Sequence, residues 1–190
     1  MTKIKSMAVF CGAADGNNPA YIKGAHTLGK IMAENGVDLV YGAGHVGMMG
    51  AVAKSVLDAG GRAIGVINKT LNEREEQIFP LTDLILYPSL HERKDAMYAM
   101  SDAFCILPGG IGTMDELSEI MTLKQIGDLN KPIILFNIAG FWDPFRIFIG
   151  RLISEGYLKP EYEKLVTYID RAEDILPTAQ KEIDAIGNKK

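Results

Sequence analysis

Short apolar runs alternate along this chain with longer stretches in which apolar residues recur every three or four positions. This alternation is typical of α/β folds built on a mostly parallel sheet. Seven apolar runs predict strands, at residues 7–11, 38–41, 62–67, 83–87, 103–107, 132–136 and 165–169. Most of these runs are continuously apolar, so we expect helices to cover both faces of the sheet.

The stretches between the strands predict helices. One face of the first helix carries four apolar residues at helical spacing: Ile22, Ala25, Leu28 and Met32. Further helices are expected at residues 48–59, 90–100, 114–125, 145–154 and 172–186, and the polar stretch 68–80 predicts a loop that holds one helical turn at most. The fold class predicted is a single Rossmann-like domain over residues 1–190, with a doubly wound, mostly parallel sheet of about seven strands.

Composition narrows the class of protein. The hydrophobic content of 47% and charged content of 23% exclude intrinsic disorder. A net charge of −4 gives no basic patch for nucleic acid or for an anionic membrane. No apolar run approaches the roughly 20 residues that span a bilayer, and residues 1–5 lack the apolar core of a signal peptide. Cys11 and Cys105 lie in apolar runs, which predicts buried thiols and a cytoplasmic location.

Glycine-rich segments follow the first, second and fifth predicted strands, at residues 12–16, 42–50 and 108–116. In a doubly wound sheet, ligands bind where the strands end and the strand order reverses. Glycine allows a ligand to approach the backbone closely, and a helix N-terminus offers free N–H groups to a phosphate. Tight turns or close helix packing would explain one such segment. Three at one edge of the sheet favour an anionic small-molecule site.

The second segment contains a loose Gly-x-Gly-x-x-Gly pattern at Gly42, Gly44 and Gly47. The pattern is weak, because no acidic residue ends the next strand to hold a ribose and no P-loop Gly-Lys-Ser/Thr is present.

The third segment carries the candidate chemistry. Pro108 ends a strand, and the glycines that follow form a possible phosphate cradle. Thr113 is expected to cap the next helix and to donate to a phosphate oxygen. Glu116 then falls in the first helical turn, where the helix dipole favours its ionised form. A purely structural alternative is a capping box formed by Thr113 and Glu116. Glu119, one turn later, is expected at the surface or as a supporting partner.

Arg93 and Lys94 lie at the start of a predicted helix, where the helix dipole disfavours positive charge. We therefore expect an anionic partner for this pair; the alternative is that Lys94 is simply solvated. His45 and His91 are interpreted as ordinary polar loop residues. No His–Cys or His–Glu cluster at ligand spacing supports a catalytic metal, and no Gly-x-Ser-x-Gly motif supports a serine hydrolase.

Residues 108–116 resemble the PGGxGTxxE signature of the Lonely guy family of cytokinin-activating enzymes. These enzymes are cytokinin riboside 5′-monophosphate phosphoribohydrolases, and they are widely mislabelled as lysine decarboxylases. Residues 91–94 resemble the second motif of the family, which contains the Arg-Lys pair. The resemblance extends from about residue 7 to residue 158.

The resemblance implies a Rossmann-like homodimer that acts on a small nucleotide and uses no pyridoxal phosphate, other cofactor or metal. The implied reaction is AMP nucleosidase-like: hydrolysis of the N-glycosidic bond of an adenine or N6-modified adenine nucleoside 5′-monophosphate to free base and ribose 5-phosphate. The implied catalytic pair is Arg93 and Glu116. The positions expected to contact the substrate are Gly12, Gly44, Gly47, Met48, Glu75, Lys94, Gly109, Gly110, Ile111, Gly112, Thr113, Met114, Asp115 and Thr122.

The chain departs from the family pattern at a few positions. Ala13 and Ala14 stand where the family usually has serines, Ala43 interrupts a Gly-Gly-Gly run, His45 replaces a common serine, and Asp128 is also unusual. The first four of these positions bear on the choice of base more than on the reaction.

Two other functions were weighed. A non-catalytic nucleotide carrier on the same fold gains nothing from a carboxylate beside a phosphate, so the Arg93 and Glu116 pair favours an enzyme. A lysine decarboxylase requires a pyridoxal-binding lysine with a site around it, and the sequence offers none. A further expectation concerns assembly: Met97, Met100, Met114 and Met121 suit a partner surface, with a core role as the alternative.

Overall fold

The computed structural model describes residues 3–73 and 78–187. Within these ranges, all strands join one parallel sheet in the spatial order β4-β3-β2-β1-β5-β6-β7. The strands are β1 (Ser6–Phe10), β2 (Asp38–Tyr41), β3 (Ala63–Asn68), β4 (Asp83–Tyr87), β5 (Ala103–Ile106), β6 (Ile133–Phe136) and β7 (Thr167–Ile169). The predicted fold class is confirmed.

The helices are α1 (Pro19–Glu34), α2 (Gly47–Asp58), α3 (Lys69–Asn72), α4 (Leu90–Met100), α5 (Ile111–Ile126), α6 (Asp143–Ser154) and α7 (Ile175–Gly187). Three short 3-10 turns accompany them, at Ile138–Gly140, Pro160–Leu165 and Ala172–Asp174. The helix expected at 172–186 therefore begins as a 3-10 turn, and α3 is the single turn expected in the 68–80 segment. The largest difference is at α5, which begins three residues before the predicted residue 114.

Each buried strand sends alternate side chains into two separate cores. On β1, Met7 and Val9 pack in a core shared with α1, α2 and α7, whereas Ala8 and Phe10 pack in a core shared with α4 and α5. This alternation follows from the period of two in a strand. The expectation that helices cover both faces is confirmed.

Strand β4 lies at one of the two edges of the sheet. Its Leu84 and Leu86 side chains are 41% and 52% exposed. Cys11 and Cys105 are buried free thiols, as expected. In the part of the chain that the structure describes, no helix is both long and apolar enough to cross a bilayer.

The strand order reverses between β1 and β5, and this is where the glycine-rich segments meet. The Gly12 N–H, just after β1, donates to the Pro108 carbonyl, just after β5, at 3.0 Å. The Gly12 carbonyl accepts in turn from the Met49 N–H in the first turn of α2, at 3.3 Å. These backbone contacts bring all three segments to one edge of the sheet, as the sequence predicted.

Candidate active site

A cleft of about 150 Å³ opens at the point where the strand order reverses. Aromatic rings form part of its wall, because Tyr21 and Phe141 pack edge to face with centroids 5.6 Å apart. Larger cavities exist, but they lie away from the glycine-rich strand ends. The residues that line the cleft are Gly12, Ala14, Gly16, Tyr21, Met48, Pro108, Gly109, Gly110 and Phe141. Four of the expected substrate-contacting positions are therefore brought together here.

Gly44 and Gly47 do not line this cleft. Gly47 has a φ of 62°, and a Cβ on it would overlap the Ala13 backbone. Gly44 is buried, with the side chain of Met49 against it. At these two positions close packing is the observed role, and their expected contact with substrate is not seen within this cleft.

The N-terminus of α5 faces the same edge of the sheet and has no side-chain cap. Gly110 is the N-cap residue, and the Met114 N–H donates to its carbonyl at 3.0 Å. The first N–H groups of the helix are therefore available to an anion. Gly109 must be glycine, because a Cβ there would overlap the hydroxyl of Thr113.

Two expectations for Thr113 are wrong. Because α5 already begins at Ile111, Thr113 is the third residue of the helix and is 3% exposed, so it neither caps the helix nor forms a capping box with Glu116. Gly110 and Gly112 have open space where a Cβ would lie, so packing does not require glycine at either position.

Arg93 is fixed in one orientation by backbone groups that the sequence analysis missed. It is 8% exposed, and its Nε donates to the Val66 carbonyl of β3 at 2.8 Å. Gly42 leaves room for it, because a Cβ on Gly42 would overlap the guanidinium. Gly42 immediately follows β2, and Val66 lies on the neighbouring strand β3. The order of the strands in the sheet would therefore have placed both residues beside Arg93.

Glu116 meets Arg93 across the interface of α5 and α4. The Arg93 Nη1 lies 3.7 Å from the Glu116 Oε1, and the two side chains are 10% and 12% exposed. The distance exceeds that of a direct hydrogen bond, so the carboxylate can still accept from another donor. Arg93 and Glu116, the expected catalytic pair, thus form a largely enclosed ion pair, and neither of them lines the cleft.

Burial raises the pKa of the Glu116 carboxyl to about 7, with Arg93 opposing the rise and Asp115 adding to it. The expectation that the helix terminus keeps this group fully ionised is therefore wrong at neutral pH. Glu116 is the sixth residue of α5 and not in its first turn as expected, so the helix end attracts its charge only weakly and desolvation dominates.

Lys94 is neither solvated nor free. Its side chain is 13% exposed, and its Nζ lies 2.9 Å from Asp115 and 2.7 Å from Glu119. Burial alone lowers its pKa, but the hydrogen bonds to Glu119 and Asp115 outweigh burial and raise the pKa above the ordinary value.

The two histidines expected in polar loops differ: His45 lies in the loop between β2 and α2, whereas His91 lies in a helix. His91 lies in the first turn of α4 with an exposed side chain. His45 is buried, and its ring packs against Phe79 at 4.5 Å between centroids. Within residues 3–73 and 78–187, no three His, Cys, Asp or Glu side chains converge as metal ligands.

The remaining expected positions are scattered. Met114 is half-buried against the core on the α4 and α5 face, and Asp115 is exposed except for its contact with Lys94. Thr122 donates to the Ser118 carbonyl at 2.8 Å. It lies roughly 16 Å along α5 from Ile111, so it does not join the cradle of its own chain. Glu75 lies outside the described residues.

Known proteins resemble this chain in sequence and in fold. Residues 49–179 match the family model described as "Possible lysine decarboxylase". The cytokinin riboside 5′-monophosphate phosphoribohydrolase LOG of Oryza sativa subsp. japonica is 39% identical over 92% of this chain and 72% of its own length. The Arabidopsis thaliana enzyme LOG7 of the same description is 36% identical over 99% of this chain and 88% of its own length.

Solved structures show the same fold at lower identity. The molybdenum cofactor carrier protein of Chlamydomonas reinhardtii superposes with a TM-score of 0.71 and 19% identity, over 97% of this chain and 99% of the other. The molybdenum cofactor binding protein of Rippkaea orientalis gives 0.69 and 19%, over 96% and 99%. At this identity the similarity establishes the fold alone.

Replacing the buried carboxyl should change how stability depends on pH. Below about pH 4.5, Glu116 is protonated in both the folded and the unfolded chain. Between about pH 4.5 and pH 7, it is ionised in the unfolded chain but still protonated in the folded one. The free energy of unfolding of the wild type therefore falls as pH rises through this range. Gln does not ionise. The free energy of unfolding of Glu116→Gln, measured by urea denaturation, should therefore increase relative to that of the wild type by about 1–3 kcal/mol between pH 5 and pH 8.

The control for this measurement is Glu34→Gln, which removes an exposed carboxylate from α1. Its difference from wild type should stay nearly constant across the same pH range. A constant difference for Glu116→Gln as well would show that the Glu116 carboxyl titrates at its ordinary pKa.

Proposed function

Because the chain belongs to the family of cytokinin riboside 5′-monophosphate phosphoribohydrolases, we propose that it hydrolyses the N-glycosidic bond of a nucleoside 5′-monophosphate. The substrate class is an adenine or N6-modified adenine nucleotide, with AMP as its simplest member, and the products are the free base and ribose 5-phosphate. The observation that carries the proposal is the buried contact between Arg93 and Glu116, beside the uncapped N-terminus of α5.

The 5′-phosphate is proposed to bind at the start of α5. Free N–H groups at a helix N-terminus favour an anion, and Gly109 and Gly110 allow its close approach. Binding energy gained at the phosphate is remote from the bond that breaks, so it can be used to hold the ribose against the carboxylate. Ala14 lines the same cleft without a hydroxyl, which leaves the backbone as the main donor there.

Bond cleavage places positive charge on the ribose. As the bond between C1′ and the base nitrogen breaks, its electron pair leaves with the base, which takes up a proton from solvent, and the sugar becomes an oxocarbenium-like cation. The Glu116 carboxylate stabilises that charge and accepts a proton from the water that attacks C1′. A carboxyl with a pKa of about 7 suits a general base at neutral pH.

Arg93 serves to fix the carboxylate. Its guanidinium is held by the Val66 carbonyl and faces Glu116, so the position of the negative charge is set before substrate binds. A guanidinium stays protonated at any working pH, which makes it a poor general acid.

The residues around Arg93 and Glu116 do not fit a pyridoxal phosphate site, although the family model carries a decarboxylase description. A Schiff-base lysine needs a lowered pKa and a free amine. Lys94, the lysine beside the candidate pair, is held by two carboxylates that raise its pKa.

A homodimer is also proposed. Leu90 and Ile111 begin the two helices that carry the catalytic pair, and their side chains are 50% and 86% exposed. A second copy would cover these apolar groups. The methionine argument gives no support, because Met97 is fully buried in the core and Met114 is half-buried against it. We further propose a cytoplasmic location, supported by the two buried free thiols.

Turnover should require the 5′-phosphate. AMP should be hydrolysed more than tenfold faster than adenosine in kcat/KM, because each charge-assisted contact to the phosphate contributes about 1.5–3 kcal/mol. The test incubates the protein with nucleoside monophosphates, N6-substituted forms and matching nucleosides, and follows free base by chromatography. Equal rates on AMP and adenosine would rule out phosphate recognition, whereas AMP binding without base release would favour the carrier function.

Glu116→Gln should lose turnover without losing nucleotide binding. Removing the charge that faces the oxocarbenium should lower kcat by roughly 10²–10³-fold, by analogy with other preorganised charges. AMP affinity in calorimetry should be equal or tighter, since a carboxylate near the phosphate is gone. Glu34→Gln is the matched control and should keep wild-type turnover. A Glu116→Gln protein with full kcat would remove this residue from the mechanism.

Light scattering should give a mass of twice 20.8 kDa at micromolar concentration. Leu90→Glu should shift this mass toward the monomer, because it places charge on the face expected to be covered. Ile147→Glu is the control, since Ile147 is 74% exposed on α6, on another helix. A monomer mass for the wild type would end the dimer proposal.

A further inference from the structure

Glu119 lies one helical turn beyond Glu116 on α5 and is held by two donors from α4. Its Oε2 accepts from the Tyr98 hydroxyl at 2.5 Å and lies 2.7 Å from the Lys94 Nζ. Lys94 and Tyr98 are four residues apart, so they share one face of α4. One carboxylate oxygen thus joins two successive turns of the neighbouring helix.

The Tyr98 donor is rigid. Its ring is buried and packs edge to face against Phe10 and Phe104, with centroids 6.2 and 5.8 Å apart. Burial, together with the hydrogen bond to Glu119, raises the pKa of its hydroxyl far above the ordinary value, so the hydroxyl keeps its proton and donates. The position of Glu119 is therefore set by the sheet through the aromatic ring.

Lys94 completes the connection between the helices. Its ammonium group is shared between Asp115 and Glu119, and its side chain is largely buried. This arrangement differs from the substrate contact that family resemblance implies for Lys94. An ammonium already paired with two carboxylates has less to offer a phosphate than the open N–H groups at the start of α5.

Two of the residues that make these contacts, Lys94 and Asp115, are adjacent in sequence to Arg93 and Glu116. Arg93 precedes Lys94, and Glu116 follows Asp115, so a shift of α4 along α5 would change both sets of distances together. Accepting the proposed function, we infer that Glu119 is a positioning residue for the reaction: it holds Lys94 and Tyr98 so that Arg93 faces Glu116. Its carboxylate is already engaged by Lys94 and Tyr98, so it acts through these neighbours.

The charge of Glu119 also reaches Glu116. The groups that act on the Glu116 carboxyl are Arg93 and Lys94 from α4, which lower its pKa, and Asp115 and Glu119 from α5, which raise it. Tyr98 and the Cys11 thiol also lie near Glu116, and burial keeps both protonated. His91 of α4 faces Glu119, with its Nδ1 3.9 Å from the Glu119 Oε1. Removing the charge of Glu119 should therefore lower the pKa of Glu116, both directly and by leaving Lys94 less neutralised.

The experiment compares Glu119→Gln with two other variants. Gln keeps the size of the side chain and an acceptor for Tyr98 but loses the charge. Tyr98→Phe keeps the ring packing and loses the donor. Glu34→Gln is the control, because it removes an exposed carboxylate from α1 by the same type of substitution. The readouts are kcat and KM for AMP, their pH profiles, and the titration of the Glu116 carboxyl carbon by NMR, identified by its loss in Glu116→Gln.

In Glu119→Gln we expect kcat to fall about tenfold to a hundredfold with KM within about twofold, because misplaced groups slow the step while the phosphate cradle is untouched. The titration midpoint of Glu116 should move to lower pH, in the NMR titration and in the acidic limb of the kcat profile. Tyr98→Phe should lower kcat with a smaller movement of the midpoint. Glu34→Gln should change neither kcat nor the midpoint.

Two results would overturn the inference: wild-type kcat with an unmoved midpoint in Glu119→Gln, or a raised KM with kcat unchanged, which would place Lys94 and Glu119 in substrate binding. If the wild type releases base from no nucleotide while the NMR midpoint moves as expected in Glu119→Gln, the proposed reaction fails and the coupling of Glu119 to Glu116 stands.

Discussion

A parallel sheet that is apolar on both faces must be covered on both faces, and this constraint places Arg93 and Glu116 next to each other. The buried strands send alternate side chains to opposite sides, so α4 and α5 are required side by side over one core. Arg93 and Glu116 lie where these two helices meet, close to the strand ends. The packing of these two helices on one face of the sheet therefore brings the ion pair together. The backbone contacts of Gly12 bring the glycine-rich segments to the carboxyl ends of the same strands.

The sequence predicted much of this arrangement because its signals are local. Apolar runs located the strands, and helical spacing located most helices to within a few residues. The start of α5 was missed because Gly110 and Gly112 look like a loop, and helix geometry at a glycine depends on the space around it. Gly42 and Val66 could not be connected to Arg93, because their contact requires the order of β2 and β3 in the sheet.

Charge could not be predicted from position alone. The helix dipole suggested an ionised Glu116, but the depth of its burial depends on how α4 packs against α5. Lys94 looked like a free cation until Asp115 and Glu119 were placed around it. Family resemblance names Arg93, Lys94 and Glu116 together as expected site residues. Only the packing separates Arg93, which faces Glu116, from Lys94, which is enclosed between two carboxylates.

The raised pKa of Glu116 couples proton binding at this carboxyl to the binding of an anionic ligand. Any dianion at the start of α5 adds negative charge near a carboxyl that is already close to half-protonated at neutral pH. Association should then draw a proton from solvent, and affinity should weaken as alkalinity increases. For a hydrolase, this coupling sets an order of events. The proton taken up with the nucleotide must leave before the Glu116 carboxylate can act as a base. The ionised carboxylate then repels the phosphate-bearing product and assists its release.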